Sequence, residues 1–247
     1  MDEAAVPDEL ARLWRIPTES RRGRPAKLDV GQVVDAAVAL ADREGLAAAT
    51  LPRVAEALGV TKMSLYRHVG SKDELLVLMQ DAASGPVPSS LDGTGPWRER
   101  LRLWASEQRA LFARHPWLAA SPVSGPPKGP HLIGWFDAGL RALRTTELDW
   151  AARVGAVMLV GEYVRGNAQL AQGLEAGRAG SGQDQAAAEQ AYGRAMFALV
   201  SPERFPDAAA LFASATFEDT GEDTADTDFF SGLDLILDGV AAAVKRA

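Results

Sequence analysis

The chain has 247 residues, 47% of them hydrophobic and 24% charged, a balance that can bury a core and excludes wholesale disorder. It has no cysteine, which excludes disulfides, zinc fingers and thiol catalysis. The net charge of −7 is unevenly spread: residues 20–72 carry nine Lys/Arg against five Asp/Glu, net +4, leaving −11 on the remainder, so phosphate attraction concentrates near one end.

The opening MDEAAVPDEL is acidic and lacks a long apolar run, so no signal peptide is expected. No stretch approaches the ~18 apolar residues of a membrane helix, and a cytoplasmic location is expected. Ala, Leu and Val recur at helical spacing through most of the chain, which predicts an all-α fold without strands. Residues 7–16 read as a short amphipathic helix with Leu10, Leu13 and Trp14 on one side. The basic, Gly/Pro-broken SRRGRPAK that follows reads as a flexible arm, and residues 1–28 together as an N-terminal extension.

A helix begins at Asp29, which with Gln32 has capping-box spacing, and ends at Gly45. Its apolar face is Val30, Val33, Val34, Ala37, Val38, Leu40 and Ala41. Thr50 caps a second helix, with Pro52 tolerated in the first turn and Gly59 supplying the left-handed turn at its end. Thr61 caps a third after an interval that only a tight helix-turn-helix fits. Leu65 anchors this third helix, leaving Lys62, Ser64, Tyr66, Arg67 and His68 mostly outward: donors, a stacking ring and cations suited to a major groove. Ser71 and Glu74, at capping-box spacing, start a fourth helix, with Lys72 in its first turn. Residues 29–83 thus read as one helical unit, a helix-turn-helix DNA-binding domain or an ordinary helical bundle, and 84–247 as a second domain.

Beyond the linker 84–97, helices are predicted at 97–114, about 130–144, 147–172, about 184–200 and 229–246. The proline-rich 115–130, the Gly-rich 173–183 and the acidic 218–228 read as loops. In the last helix Leu233, Ile236, Leu237, Val240 and Val244 form one apolar stripe, which either closes the monomer's own core or meets a partner. Trp97, Trp104, Trp117, Trp135, Trp150, Phe112, Phe136 and Tyr163 crowd the middle of the chain and would ordinarily be core.

The run LPRVAEALGVTKMSLYRHVGSKDELL resembles the DNA-binding signature of the tetracycline-repressor (TetR) family, and FFSGLDLILDGV (229–240) resembles the final dimerisation helix of the same family. The resemblance implies an N-terminal three-helix helix-turn-helix domain and a C-terminal helical ligand-binding and dimerisation domain. It implies base reading by Lys62, Met63 and Ser64, and phosphate holding by Thr50, Tyr66, His68 and Lys72. Thr61 lies at the same helix start. Arg53 and Arg67 either join the DNA backbone or stay solvated, and Tyr66 has plain packing as its alternative. Pro52 and Arg67 depart from the family's namesake, so a different operator is expected. Arg22-Gly23-Arg24-Pro25 is similar to an AT-hook core, which would put Arg22 and Arg24 into an A·T minor groove; a solvated tail is the equal alternative.

The resemblance further implies a homodimer on a palindromic double-stranded operator, since two recognition helices about 34 Å apart read two half-sites. It also implies a small-molecule effector in a cavity lined by Trp104, Phe112, Trp135, Leu140, Met158, Glu162 and Tyr163, with Glu162 and Arg165 its polar candidates. His115 and His131 miss the namesake's metal-binding histidine position, which falls near Val123, and its pocket glutamine matches Gly139. No metal, no other cofactor and no tetracycline are therefore expected. G-x-S-x-G, H-E-x-x-H, P-loop and dinucleotide motifs are absent, so no enzyme is expected. The rival is a structural DNA-binding protein without an effector, which would have a filled aromatic core in place of a cavity.

Overall fold

The computed structural model describes residues 6–16, 28–179, 185–214, 216 and 224–247. Among these the regular structure is helical: α1 (Asp8–Leu13), α2 (Val30–Glu44), α3 (Leu51–Ala57), α4 (Lys62–Val69), α5 (Lys72–Ser84), α6 (Trp97–Arg114), α7 (Pro116–Ala120), α8 (Pro130–Ala142), α9 (Trp150–Ala179), α10 (Gln185–Leu199), α11 (Pro206–Phe212) and α12 (Thr224–Val244). Short 3₁₀ turns stand at Leu46–Ala48 and Ser89–Asp92. No described helix is long and apolar enough to cross a membrane.

Local chemistry sets the ends of the first helices. Asp29 and Gln32 form both halves of the capping box, at 2.9 and 3.0 Å. Gly59, at φ 63°, lets α3 end in a Schellman turn: its N–H reaches Glu56 O at 3.0 Å, and Val60 N–H reaches Ala55 O at 2.9 Å. Thr61 accepts from Ser64 N and caps α4. Thr50 stands at the cap position of α3, but its hydroxyl makes no capping bond. Ser71 accepts from Glu74 N at 3.0 Å, while the Glu74 carboxylate turns to Arg12 instead of closing a capping box. Val33, Val34, Val54, Leu65, Leu75 and Met79 are fully buried in the core that these helices share.

Four boundaries differ from the sequence reading. α7 occupies a stretch read as loop and α11 one to which no element was assigned, and both begin with proline in the first turn. Proline there has no N–H to waste and a φ already set for helix, so it started these helices instead of breaking them. α9 runs to Ala179, through residues read as a mobile loop, and α12 starts at Thr224, inside the acidic loop.

Residues 1–168 with 241–247 form one compact unit, and residues 169–240 another. The first contains the helix-turn-helix helices together with α5 to α8 and the first part of α9. In the second, α10 packs on α11, with the Tyr192 and Phe212 rings edge-on at 5.7 Å.

Candidate DNA-binding face and effector cavity

α4 has two distinct sides. Leu65, His68 and Val69, spaced i, i+3 and i+4, are buried. His68 therefore corrects the sequence reading, which placed it outward: it shares Leu65's stripe. Lys62, Met63, Tyr66 and Arg67 are exposed, Met63 by 73%, and Lys72 is exposed in the first turn of α5. Ser64 and Thr50 are half-buried, and Thr61 is exposed. Lys62 Nζ stands 5.6 Å from the Tyr66 ring centroid, a cation–π geometry that steadies both on the outer face. Arg53 pairs with Glu44 at 2.7 Å, and its guanidinium holds the Glu44 carboxyl below the usual range. A phosphate contact by Arg53 would have to replace that pair. Arg22 and Arg24 lie outside the described residues.

A cavity of ≈ 530 Å³ opens among α5, α6, α8, α9 and the segment 122–128. Trp104, Phe112, Trp135, Met158 and Glu162 line it as expected from sequence; Leu140 and Tyr163 do not, and Glu162 is at its exposed side. Tyr163 is off the stripe 157/158, 161/162 and 165 that α9 presents, and Leu140 lies one turn past Phe136 on α8. Sequence reasoning missed Gln108, which the spacing Trp104, Gln108, Leu111, Phe112 on α6 could have revealed. It also missed Val77, Gln80 and Ser84 from α5, and, apart from the neighbourhood of Val123, the run 122–128.

The walls are aromatic faces more than polar edges. Trp104 Nε1 donates to Trp135 O at 2.8 Å, and Trp135 Nε1 donates to Ser84 O at 3.0 Å, so both indoles are oriented by backbone carbonyls. Gly139 lets Trp104 lie close: a Cβ there would sit 3.1 Å from the indole and 2.9 Å from Val157 Cγ1. A side chain at 139 has no room, so this chain cannot present a polar pocket residue from that position. Arg165 donates to Ala119 O at 2.9 Å and to Ser121 O, tying α9 to the end of α7. The Gln108 side chain, which makes no hydrogen bond to the described residues, lines the cavity. Among the described residues no group of His, Asp or Glu could hold a metal ion.

Two carboxylates join these helices to the helix-turn-helix unit. Asp81 on α5 is buried, and its Oδ1 accepts from His131 N and Leu132 N, both at 3.0 Å, at the start of α8. Burial pushes the Asp81 carboxyl above its ordinary value, partly opposed by those two N–H donors and by His131. Gly129 leaves room for that carboxylate, which a Cβ there would strike. Asp42 on α2 accepts from Trp117 Nε1 at 2.7 Å and lies 2.8 Å from His115 Nδ1. A further bond, Gln80 Nε2 to Pro122 O at 3.2 Å, links α5 to the cavity wall.

A short helix fixed on one side to a three-helix core, with amine, phenol and guanidinium on the other, is how helix-turn-helix DNA-binding regulators are built. The family described as "Bacterial regulatory proteins, tetR family" matches residues 33–79, and "Tetracyclin repressor-like, C-terminal domain" matches residues 88–244. The chain thus belongs to the TetR family of transcription regulators. The HTH-type transcriptional repressor DrrR1 of Streptomyces coeruleorubidus is 34% identical over 241 residues, 96% of this chain and 86% of that protein. The crystal structure of apo ActR from Streptomyces coelicolor superposes with TM-score 0.71 at 24% identity, covering 90% of this chain and 99% of that one. ActR in complex with actinorhodin gives 0.70 at 27% identity, covering 89% and 99%.

Proposed function

We propose that this regulator is a repressor that binds a palindromic operator as a homodimer and lets go when a small molecule fills the cavity. The observation that carries this is the position of α5. It leaves the recognition helix α4 through a single turn, and its Val77, Gln80 and Ser84 are also cavity wall. A ligand there touches the helix that holds the DNA-reading element. Release then needs only a differential affinity between two arrangements of α5, typically ~1–3 kcal/mol of coupling. The similar DrrR1 is a repressor by its name, and ActR has been solved with actinorhodin and with (S)-DNPA, which supports a sensing cavity in this chain.

In this reading Lys62, Met63 and Ser64 meet base edges, while Thr50, Tyr66, Arg67, Lys72 and an exchanged Arg53 meet the backbone. His68 supports α4 from beneath. The effector is a largely apolar molecule with flat aromatic surface, stacked by Trp104, Phe112 and Trp135 and oriented by one hydrogen bond to Gln108. The chain-to-chain interface uses α9 and α12. On α12, Leu233, Leu237 and Val240 are already buried within the single chain, so they form the floor. Ile236 and Val244, half-buried, and Leu235, 75% exposed, are left for a partner. TetR-family regulators are generally not enzymes, and no catalytic group is assigned. An effector-free structural protein is disfavoured by the open cavity, since that role leaves nothing to keep it unfilled.

The deciding experiment is selection of operator from random DNA with the purified protein, repeated with a small-molecule panel. A two-fold symmetric site lost on adding a compound, together with protection of α6 and α9 from exchange, supports the proposal. A site that no cavity-binding compound weakens refutes release by ligand.

A further inference from the structure

We propose that α1, the short helix ahead of the helix-turn-helix unit, is a strut that couples the position of the cavity wall to the junction between α4 and α5, with Trp14 and Arg12 as its two points of attachment. The inference rests on the reading of the cavity as the effector site.

Trp14, which caps the C-terminal end of α1, holds the wall. Trp14 Nε1 donates to Lys128 O at 2.8 Å. Lys128 closes the run 122–128, every residue of which lines the cavity. The run is held at its other end by Gln80 of α5, which donates to Pro122 O at 3.2 Å. The wall is thus held at one end by the helix that leaves the DNA-reading element and at the other by α1. An effector that moves the wall pulls on both.

The last turn of α1 itself holds the junction. Arg12 grips both oxygens of Glu74, one at 2.9 Å, and the pairing raises the Arg12 pKa. Glu74 in turn lies against Gly70, the residue at φ 43° that ends the recognition helix α4. A Cβ on Gly70 would strike the Glu74 carboxylate and stand 3.4 Å from Arg12 Nη2. The guanidinium therefore sits on the turn through which α4 and α5 change their relative angle. Beside the two attachments Ala11 and Leu13 are buried, and α1 packs on α5, so the six-residue helix is seated and not merely tethered. A seated turn that holds the ligand wall by one side chain and the recognition-helix turn by another, two residues away, carries displacement of either to the other. Residues 33–79, the span shared with the TetR DNA-binding family, do not include it.

Hydrogen–deuterium exchange on the full chain tests the coupling without any ligand. Trp14→Phe keeps a ring but removes the donor. The expected result is exchange ~2- to 10-fold faster at 123–128 and also across 66–78, the scale on which one net hydrogen bond acts. Arg12→Ala, which removes the other attachment, is expected to show the reciprocal pattern, since coupling between two sites runs both ways. Acceleration confined to the segment nearest each substitution overturns the strut, as does no change in either, or an equal loosening of α2 and α3. A separate arm saturates the wild-type cavity with 1-anilinonaphthalene-8-sulfonate. Failure of the dye to bind or to protect 123–128 counts against the cavity as a ligand site, while the strut still stands or falls on the two variants.

Discussion

Asp81→Asn and Asp81→Ala separate the two tasks of one carboxylate. Both backbone bonds at the start of α8, from His131 N and Leu132 N at 3.0 Å, go to the same oxygen, Oδ1. Asparagine can offer that oxygen without charge, whereas alanine leaves two amides of a helix start without a partner. Loss of a helix cap costs about 0.5–2 kcal/mol, and a buried unsatisfied donor about 1–3 kcal/mol, so Asp81→Ala is expected to destabilise by about 2 kcal/mol. Asp81→Asn should behave differently because burial raises the Asp81 pKa above its ordinary 3.8. A group whose folded pKa is raised takes up its proton more readily in the folded state. Its contribution is therefore fully present below pH 3.8 and is lost as pH rises through the raised value. By neutral pH the wild type carries the cost of an ionised buried group that asparagine does not. The stability difference, Asn minus Asp, should then grow more favourable to Asn between pH 4 and the raised pKa, and level off above it. Urea unfolding at fixed protein concentration, across pH 4.5–8, measures this for all three chains. If Asp81→Asn is as unstable as Asp81→Ala at pH 8, the negative charge itself holds α5 to α8 and the argument from desolvation is wrong.

Gly139→Ala forces a methyl to within 2.9 Å of Val157 Cγ1 and 3.1 Å of the Trp104 indole, and should cost about 1–3 kcal/mol by thermal or urea unfolding while shrinking the cavity. Leu65→Ala empties a fully buried site beneath the recognition helix and should cost about 2–5 kcal/mol, where Met63→Ala, at a residue 73% exposed, should leave stability within ~0.5 kcal/mol yet weaken selected-operator binding. Lys72→Ala should weaken binding to all DNA sequences alike and lower the slope of log K against log salt by about 0.9, as one lost phosphate contact does. Gln108→Leu should leave operator affinity unchanged and shift which compounds release it, read by competition in a gel or fluorescence assay.

The helix-turn-helix unit was legible because its signals are local. Asp29 with Gln32, Thr61 with Ser64, and Gly45 and Gly59 each act within a few residues, and the structure shows each in the predicted role. His68 was misread because its chemistry suggested DNA while its spacing from Leu65 already placed it inward. The aromatic walls were legible as a cluster, but their membership depended on tertiary geometry. Leu140 and Tyr163 fall off the cavity by rotation about their helices, and Gln108 was passed over because a glutamine in an amphipathic helix usually faces water. Most opaque were pairings across long separations. Nothing near Glu74 predicts Arg12, 62 residues away, and nothing near Asp81 predicts the amides of 131 and 132. Pro116 was read as part of a loop because proline's two roles, starting and stopping a helix, look alike until the residues after it are seen to bury a face.

Asp42 and Asp81 set where this chain can be cut and regrafted. A chimera that joins its first 84 residues to another regulator's sensing half inherits both carboxylates but none of the groups they bind. Unless the graft supplies an indole at 117, an imidazole at 115 and two helix-start amides at 131 and 132, each acid is stranded at the seam. The exchangeable module is therefore the DNA-reading head together with its matching donors, and natural or engineered shuffling of operator and effector specificities should succeed only along boundaries that carry both.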